Sequence, residues 1–191
     1  MKFLNLFPIV VLGEVLKEIS INELNLYKEF LLKQEYEYDP PNGYTSKSQN
    51  ILNENIFKNL KNNILNLSKK YLIRLNHEFE DLQMATSWVN IINKNESIHM
   101  HKHSNSYISG VFYLDQGTNF VLQDPLLDNW YFHPTFSKYP RFEIKPEPGL
   151  VLLFPSFVPH YVEASKVNRI SIGFNIIPKG EFGHNTQKLF L

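Results

Sequence analysis

From Thr86 onward the chain becomes a succession of short runs rich in Val, Ile, Phe and Tyr, each bounded by turn-forming residues, and this confines it to an antiparallel sandwich or barrel more than any other feature does. The runs are Ser87 to Ile92, Ile98 to His103, Tyr107 to Leu114, Asn119 to Leu122, Phe142 to Ile144, Gly149 to Pro155 and Arg169 to Ile177. Ahead of them the period is helical. Leu24, Tyr27, Leu31 and Leu32 repeat within Ser20 to Glu35, and Ile56, Leu60, Ile64, Leu67 and Leu72 repeat within Leu52 to His77, so one helix and then one long helix or two are expected. An apolar strand is expected at Phe3 to Val11, at an edge or bulge because of Pro8. The cluster Asp39-Pro40-Pro41-Asn42-Gly43 cannot continue a helix, and Tyr38 to Ser48 is expected to be a loop.

These elements make a mainly β chain with flanking N-terminal helices. At 191 residues a single domain, 1–191, is expected, divided into a strand with supporting helices (1–85), a β core (86–178) and a tail (179–191). A hydrophobic share of 43%, with 14% aromatic, supplies enough apolar surface to order it. Lys plus Arg and Asp plus Glu are both 19, with no long basic run, which argues against nucleic acid as a ligand. The absence of cysteine removes disulfides and thiolate metal sites, so any metal must use His, Asp or Glu. Leu4 to Leu12 is too short to span a bilayer and lacks a cleavage signal, which leads to the expectation of a cytoplasmic protein with no membrane partner. Exposed edge strands would allow a homodimer.

The chemistry concentrates in the second half. His99, His101 and His103 alternate with Met100 and Lys102, so an extended Ile98 to His103 sends all three imidazoles from one face. Neutral imidazole is the commonest side-chain metal ligand; the alternative is a solvated histidine cluster. His160 follows the apolar strand Gly149 to Pro155 and sits in Val158-Pro159-His160-Tyr161-Val162, a platform for a rigid distal ligand. Arg169, Ser171, Gly173 and Asn175 share one face of the last strand, and an arginine with a hydroxyl two residues on can clamp a carboxylate. The long segment Asp124 to Arg141, with Trp130, Tyr131, Phe132, His133 and Phe136, is either a substrate cover or a loop packed outside the barrel.

With those pieces in this order, Trp88-Val89-Asn90, HKHSNSYISGVFYL (His101 to Leu114), Gln123-Asp124-Pro125, GLVLLFPSFVPHYVE (Gly149 to Glu163) and NRISIGFN (Asn168 to Asn175) resemble a family of 2-oxoglutarate- and Fe(II)-dependent oxygenases of marine bacteria and their phages, within the prolyl-hydroxylase-like superfamily. Asn5-Leu6-Phe7-Pro8 and Gly43-Tyr44-Thr45-Ser46 extend the likeness over nearly the whole chain. The resemblance implies a double-stranded β-helix (a jelly roll, cupin-like), with Fe(II) held by the first histidine motif and the distal histidine. It also implies 2-oxoglutarate as co-substrate, its far carboxylate meeting the arginine. Carried over by position, His101 and His160 become metal ligands, Arg169 with Ser171 the co-substrate clamp, and Asn90, Asn105, Tyr113 and Asn175 the pocket wall.

Two departures stand out. The superfamily usually places Asp or Glu two residues after the first histidine, where this chain has His103. The third ligand is then His103, a carboxylate from elsewhere (Asp115, Asp124 or Glu163), or His99 paired with His101; the set His101, His103 and His160 is the one adopted. Leu126 stands where the family's Asp-Pro motif more often continues with arginine. The implied reaction couples dioxygen and 2-oxoglutarate, which leaves as succinate, to C–H hydroxylation of a small-molecule or peptide substrate. The alternative is a three-histidine cupin-type dioxygenase that needs no 2-oxoglutarate.

Overall fold

A computed structural model describes residues 8–126, 141–182 and 188–190. The aromatic residues of the Asp124 to Arg141 segment lie outside them, as does most of the N-terminal run. Residues 8–11 are not strand; the first strand is β1 (Leu12–Val15), beyond Pro8. The other elements are α1 (Ile21–Leu31), β2 (Tyr36–Tyr38), β3 (Tyr44–Ser46), α2 (Lys58–Arg74), β4 (Phe79–Ile92), β5 (Ile98–His101), β6 (Ile108–Tyr113), β7 (Phe120–Gln123), β8 (Arg141–Ile144), β9 (Leu150–Pro155), β10 (His160–Val162), β11 (Arg169–Phe182) and β12 (Leu189–Phe190).

The strands form two antiparallel sheets. The larger runs β1-β9-β6-β11-β4-β3-β2, with β12 on the far end of β11, and the smaller runs β5-β10-β7-β8. Consecutive strands fall repeatedly in opposite sheets, as when β4 leads to β5 and β9 to β10, which makes the fold a double-stranded β-helix. Alternation along the strands sorts side chains into two layers. Ile172, Phe174 and Ile176 of β11 and Val151 and Leu153 of β9 join Leu24, Tyr27, Leu31, Leu60, Ile64 and Leu72 of the helices in a core on the outer face of the large sheet. Leu152 and Phe154 point the other way, with Phe120, Leu122 and Val162, into the space between the sheets. Each such side chain contributes roughly 1.5–3 kcal/mol on burial, so the helical layer anchors the large sheet firmly.

Ser20 caps α1 in a capping box with Glu23, and the helix ends at Leu31, leaving Leu32 60% exposed instead of inward. Two 3₁₀ turns, Ile51–Asn53 and Asn55–Phe57, precede α2. The expected loop Tyr38 to Ser48 is a hairpin instead: the Asp39 to Gly43 cluster reverses the chain, but Tyr44–Ser46 pairs with both β2 and β4. A partner distant in sequence converts the second half of the loop into strand. Gly43 has φ +82°, and a Cβ there would stand 2.5 Å from the carbonyl oxygen of Ile91. β4 and β11 are longer than their β-rich runs because they pair with each other from Ile92–Arg169 to Phe79–Phe182. The three-residue β10 carries too little pattern to be seen in sequence; it exists by pairing with β5 and β7. No described helix is long and apolar enough to cross a membrane.

Candidate active site

β5 and β10 set two imidazoles side by side, because His101 pairs directly with His160 across the small sheet. β5 stops at His101, so His103 lies beyond the strand, its backbone N–H donating to the Ser156 carbonyl (3.1 Å). Ligand-capable nitrogens of His101, His103 and His160 all lie within 4.8 Å of one another. Ring centroids are 4.3 Å apart for His101 and His160, 4.9 Å for His103 and His160, and 5.1 Å for His101 and His103.

The hydrogen bonds behind these rings decide which nitrogen is free. Nδ1 of His101 faces the His99 carbonyl at 2.9 Å, Nδ1 of His160 faces the Val158 carbonyl at 2.9 Å, and Nδ1 of His103 faces Oδ1 of Asn175 at 2.7 Å. A carbonyl oxygen only accepts, so each Nδ1 donates and Nε2 is the nitrogen left over for a ligand. Burial between Phe120 and Phe154 pushes the His160 imidazole down to about 3, and burial also lowers His103. Neutral imidazoles have no proton to displace when a metal arrives.

The inward residues of the large sheet stand in cross-strand rows. Thr45, Asn90, Ser171 and Tyr113 are register partners in turn, and all four line a cavity of about 290 Å³ together with the three histidines. The next row holds Trp88, Gly173 and Val111. Gly173 is required there, since a Cβ would meet the Trp88 indole at 2.7 Å; the indole lies edge-on to His103, with centroids 5.4 Å apart. The third row, Thr86, Asn175 and Ser109, forms the support behind His103: Asn175 Nδ2 donates to Thr86, and Ser109 Oγ donates to Asn175 or to Ser156.

Arg169 is buried at 2% exposure in the cavity wall, with Gly117 making room for its stem. One nitrogen, Nη1, donates to the Thr118 carbonyl (2.9 Å), while its Nε has no partner among the described residues. The hydroxyl of Tyr113, whose ring lies 5.4 Å from the guanidinium carbon, is likewise buried without a partner. Desolvation pulls the arginine's affinity for its proton down and pushes the tyrosine's up, so each waits for a hydrogen-bond acceptor that no described side chain supplies. A carboxylate would satisfy both. The donor set therefore fits a metal held by three imidazoles and an acidic ligand reaching from it to Arg169.

Other candidates fall elsewhere. Asp115 pairs with Lys28 and accepts from the Ile170 N–H, Asp124 accepts from the Leu126 N–H, and Glu163 pairs with Arg141, so none of these carboxylates joins the histidines. His99 lines the cavity but is tied to Asn42, and it is not part of the three-histidine group. Asn105 sits on an exposed turn at φ +57° and does not line the cavity, and Asn175 stands behind His103 instead of on the wall. Sequence reasoning missed Asp39, Asn42 and Thr45 as lining residues, because turn composition explains the first two and a loop was expected around the third. Trp88 was readable from the alternation Thr86, Trp88, Asn90.

The family model described as "Putative 2OG-Fe(II) oxygenase" matches residues 86–175, just under half of the chain, and spans all three histidines and Arg169. No protein of curated function matches the sequence. Among solved structures, a prolyl-4-hydroxylase from Pseudomonas putida is 12% identical with a TM-score of 0.64, covering 89% of this chain and 93% of its own. HygX from Streptomyces hygroscopicus, with nickel and 2-oxoglutarate bound, is 13% identical with a TM-score of 0.62, covering 89% and 83%. The epimerase SnoN from nogalamycin biosynthesis, described as non-heme and alpha-ketoglutarate-dependent, is 13% identical with a TM-score of 0.65, covering 90% and 79%. Family match and fold make the chain similar to Fe(II)- and 2-oxoglutarate-dependent oxygenases, and the three-histidine cavity suits that chemistry.

Proposed function

We propose that the protein is a hydroxylase acting on a small-molecule or peptide substrate, with iron held by Nε2 of His101, His103 and His160 and 2-oxoglutarate anchored by Arg169, Tyr113 and Ser171. The observation that carries this reading is the buried Arg169, whose Nε, like the Tyr113 hydroxyl, has no partner among the described residues, in the wall of the cavity shared with three imidazoles. A guanidinium at that depth is costly by several kcal/mol while part of its donor set has no acceptor, and a bound anion would offset that cost. Bound iron(II) supplies the oxidising chemistry, in which dioxygen and 2-oxoglutarate yield succinate, carbon dioxide and one hydroxyl group on the substrate.

The chain's own residues position and protect. Backbone carbonyls and Asn175 hold the three rings by Nδ1, which presents Nε2 in a fixed direction. Phe120 and Phe154 flank His160 and keep water from that side. Ser171, next to Tyr113 across the sheet, offers the hydroxyl that completes the carboxylate clamp, while Asn90 and Thr45 continue the polar row toward the hairpin. The structure of HygX with nickel, 2-oxoglutarate and hygromycin B bound supports a small-molecule substrate on this fold.

The test is anaerobic titration of the Fe(II)-loaded protein with 2-oxoglutarate, following the weak visible charge-transfer band. The band should form, and His160→Ala and Arg169→Ala should each abolish it. His103 as a third imidazole favours a second reading, a three-histidine dioxygenase that uses no 2-oxoglutarate. Iron binding without a band, with activity surviving Arg169→Ala, would select that reading.

A further inference from the structure

The rim of the cavity is built from different chemistry than its buried wall. Asp39 and Asn42, from the turn between β2 and β3, line it beside His99. This turn is held rigidly. Asp39 N–H donates to the Gly43 carbonyl (2.9 Å), Asn42 N–H to the Asp39 carbonyl (2.6 Å), and Ser97 N–H to the Pro41 carbonyl (2.9 Å).

The side chains at the rim are oriented by the same bonds. Asn42 Oδ1 accepts from the His99 backbone N–H (3.2 Å), which can only donate, and this fixes the amide the right way round. Its Nδ2 then donates to Asp39 Oδ2 (2.7 Å), and its Oδ1 faces His99 Nδ1 (2.7 Å), which therefore carries the proton. What remains at the rim is Asp39 Oδ1 as a charged acceptor, beside the second N–H of Asn42. Among the described lining residues Asp39 is the sole acid, and Arg169, the sole lysine or arginine, is buried in the wall.

We propose that the substrate carries an ammonium or guanidinium group and that Asp39 receives it at the cavity rim. This rests on the oxygenase reading, in which 2-oxoglutarate occupies Arg169 and leaves the rim for the substrate. A carboxylate held in place by the turn attracts a cationic donor and rejects an anion by like charge.

The experiment uses three probes that share one chain and differ in charge: pentylamine, 1-pentanol and pentanoate. Their dissociation constants are measured by ligand-observed NMR on protein loaded with Zn(II) and 2-oxoglutarate. Pentylamine should bind roughly five- to tenfold more tightly than pentanol, with pentanoate weakest. Asp39→Asn, which keeps an oxygen for Asn42, should erase the advantage of the amine, and Asp39→Lys should reverse the order. Equal binding of the three, a preference for pentanoate, an amine preference that survives Asp39→Asn, or no binding of any probe would overturn the proposal while leaving the oxygenase reading standing. Failure of the unaltered metal-loaded protein to bind 2-oxoglutarate would overturn both.

Discussion

His103 and Asn175 are joined by a 2.7 Å hydrogen bond from imidazole Nδ1 to amide Oδ1, across a register in which Asn175 also faces Thr86 and Ser109. His101 and His160 are oriented by backbone carbonyls, so His103 alone among the three depends on a side chain for its direction. Asn175→Ala should weaken Co(II) or Ni(II) binding about 10- to 100-fold. Asn175→Asp, which keeps the acceptor, should restore most of it. Titration of the metal-dependent visible spectrum measures both; equal affinities for all three proteins would remove Asn175 from this role.

Arg169→Met separates stability from binding. The replacement removes a buried charge that has one carbonyl partner, so the metal-free protein should melt at an equal or higher temperature. Affinity for 2-oxoglutarate should fall about a hundredfold in the metal-loaded protein. Tyr113→Phe should cost less, about tenfold, because one neutral hydroxyl is lost. Calorimetry of the metal-free protein and isothermal titration of the loaded one give the two readings.

Gly173→Ala should destabilise the fold by about 1–3 kcal/mol, because its Cβ would stand 2.7 Å from Trp88 and force the indole to shift. Chemical denaturation measures the loss. A weakened metal site should accompany it, since the displaced indole packs against His103.

Acid should destabilise the metal-free protein earlier than its surface carboxylates explain. The unfolded chain protonates His160 near pH 6.5, whereas burial holds the folded imidazole at about 3. Between those values the unfolded state binds the extra proton, so stability present above pH 6.5 is lost as pH falls and levels off near 3, by an amount on the order of a few kcal/mol. His160→Gln should flatten that part of the stability curve against pH.

Local pattern was enough to read the helices, most strands and the histidine and arginine candidates. Period 3.6 places Leu24, Tyr27 and Leu31 on one buried stripe of α1, and period 2 separates Ile172 and Phe174 from Ser171 and Gly173 on β11. These periodicities are properties of a single segment and survive without knowledge of its neighbours. Other features were invisible for the opposite reason. β3 and β10 are three residues each and exist only because partners far away in sequence complete their hydrogen bonds. Asp39 and Asn42 satisfy a turn in sequence and line the cavity only because that turn is tied to β5.

Alternation along the chain was sufficient to give an antiparallel β sandwich or barrel, the absence of cysteine left histidines and carboxylates as the metal-ligand candidates, and the order of motifs gave the resemblance that implied a β-helix. Tertiary pairing decided the rest. It brought His103 together with His101 and His160, left His99 and three carboxylates outside that group, put Asn175 behind a ring instead of in the wall, and left Arg169 and Tyr113 with donors that have no partner among the described residues. Those outcomes depend on strand register and on which polar groups burial leaves without water, and neither quantity exists until the two sheets face each other.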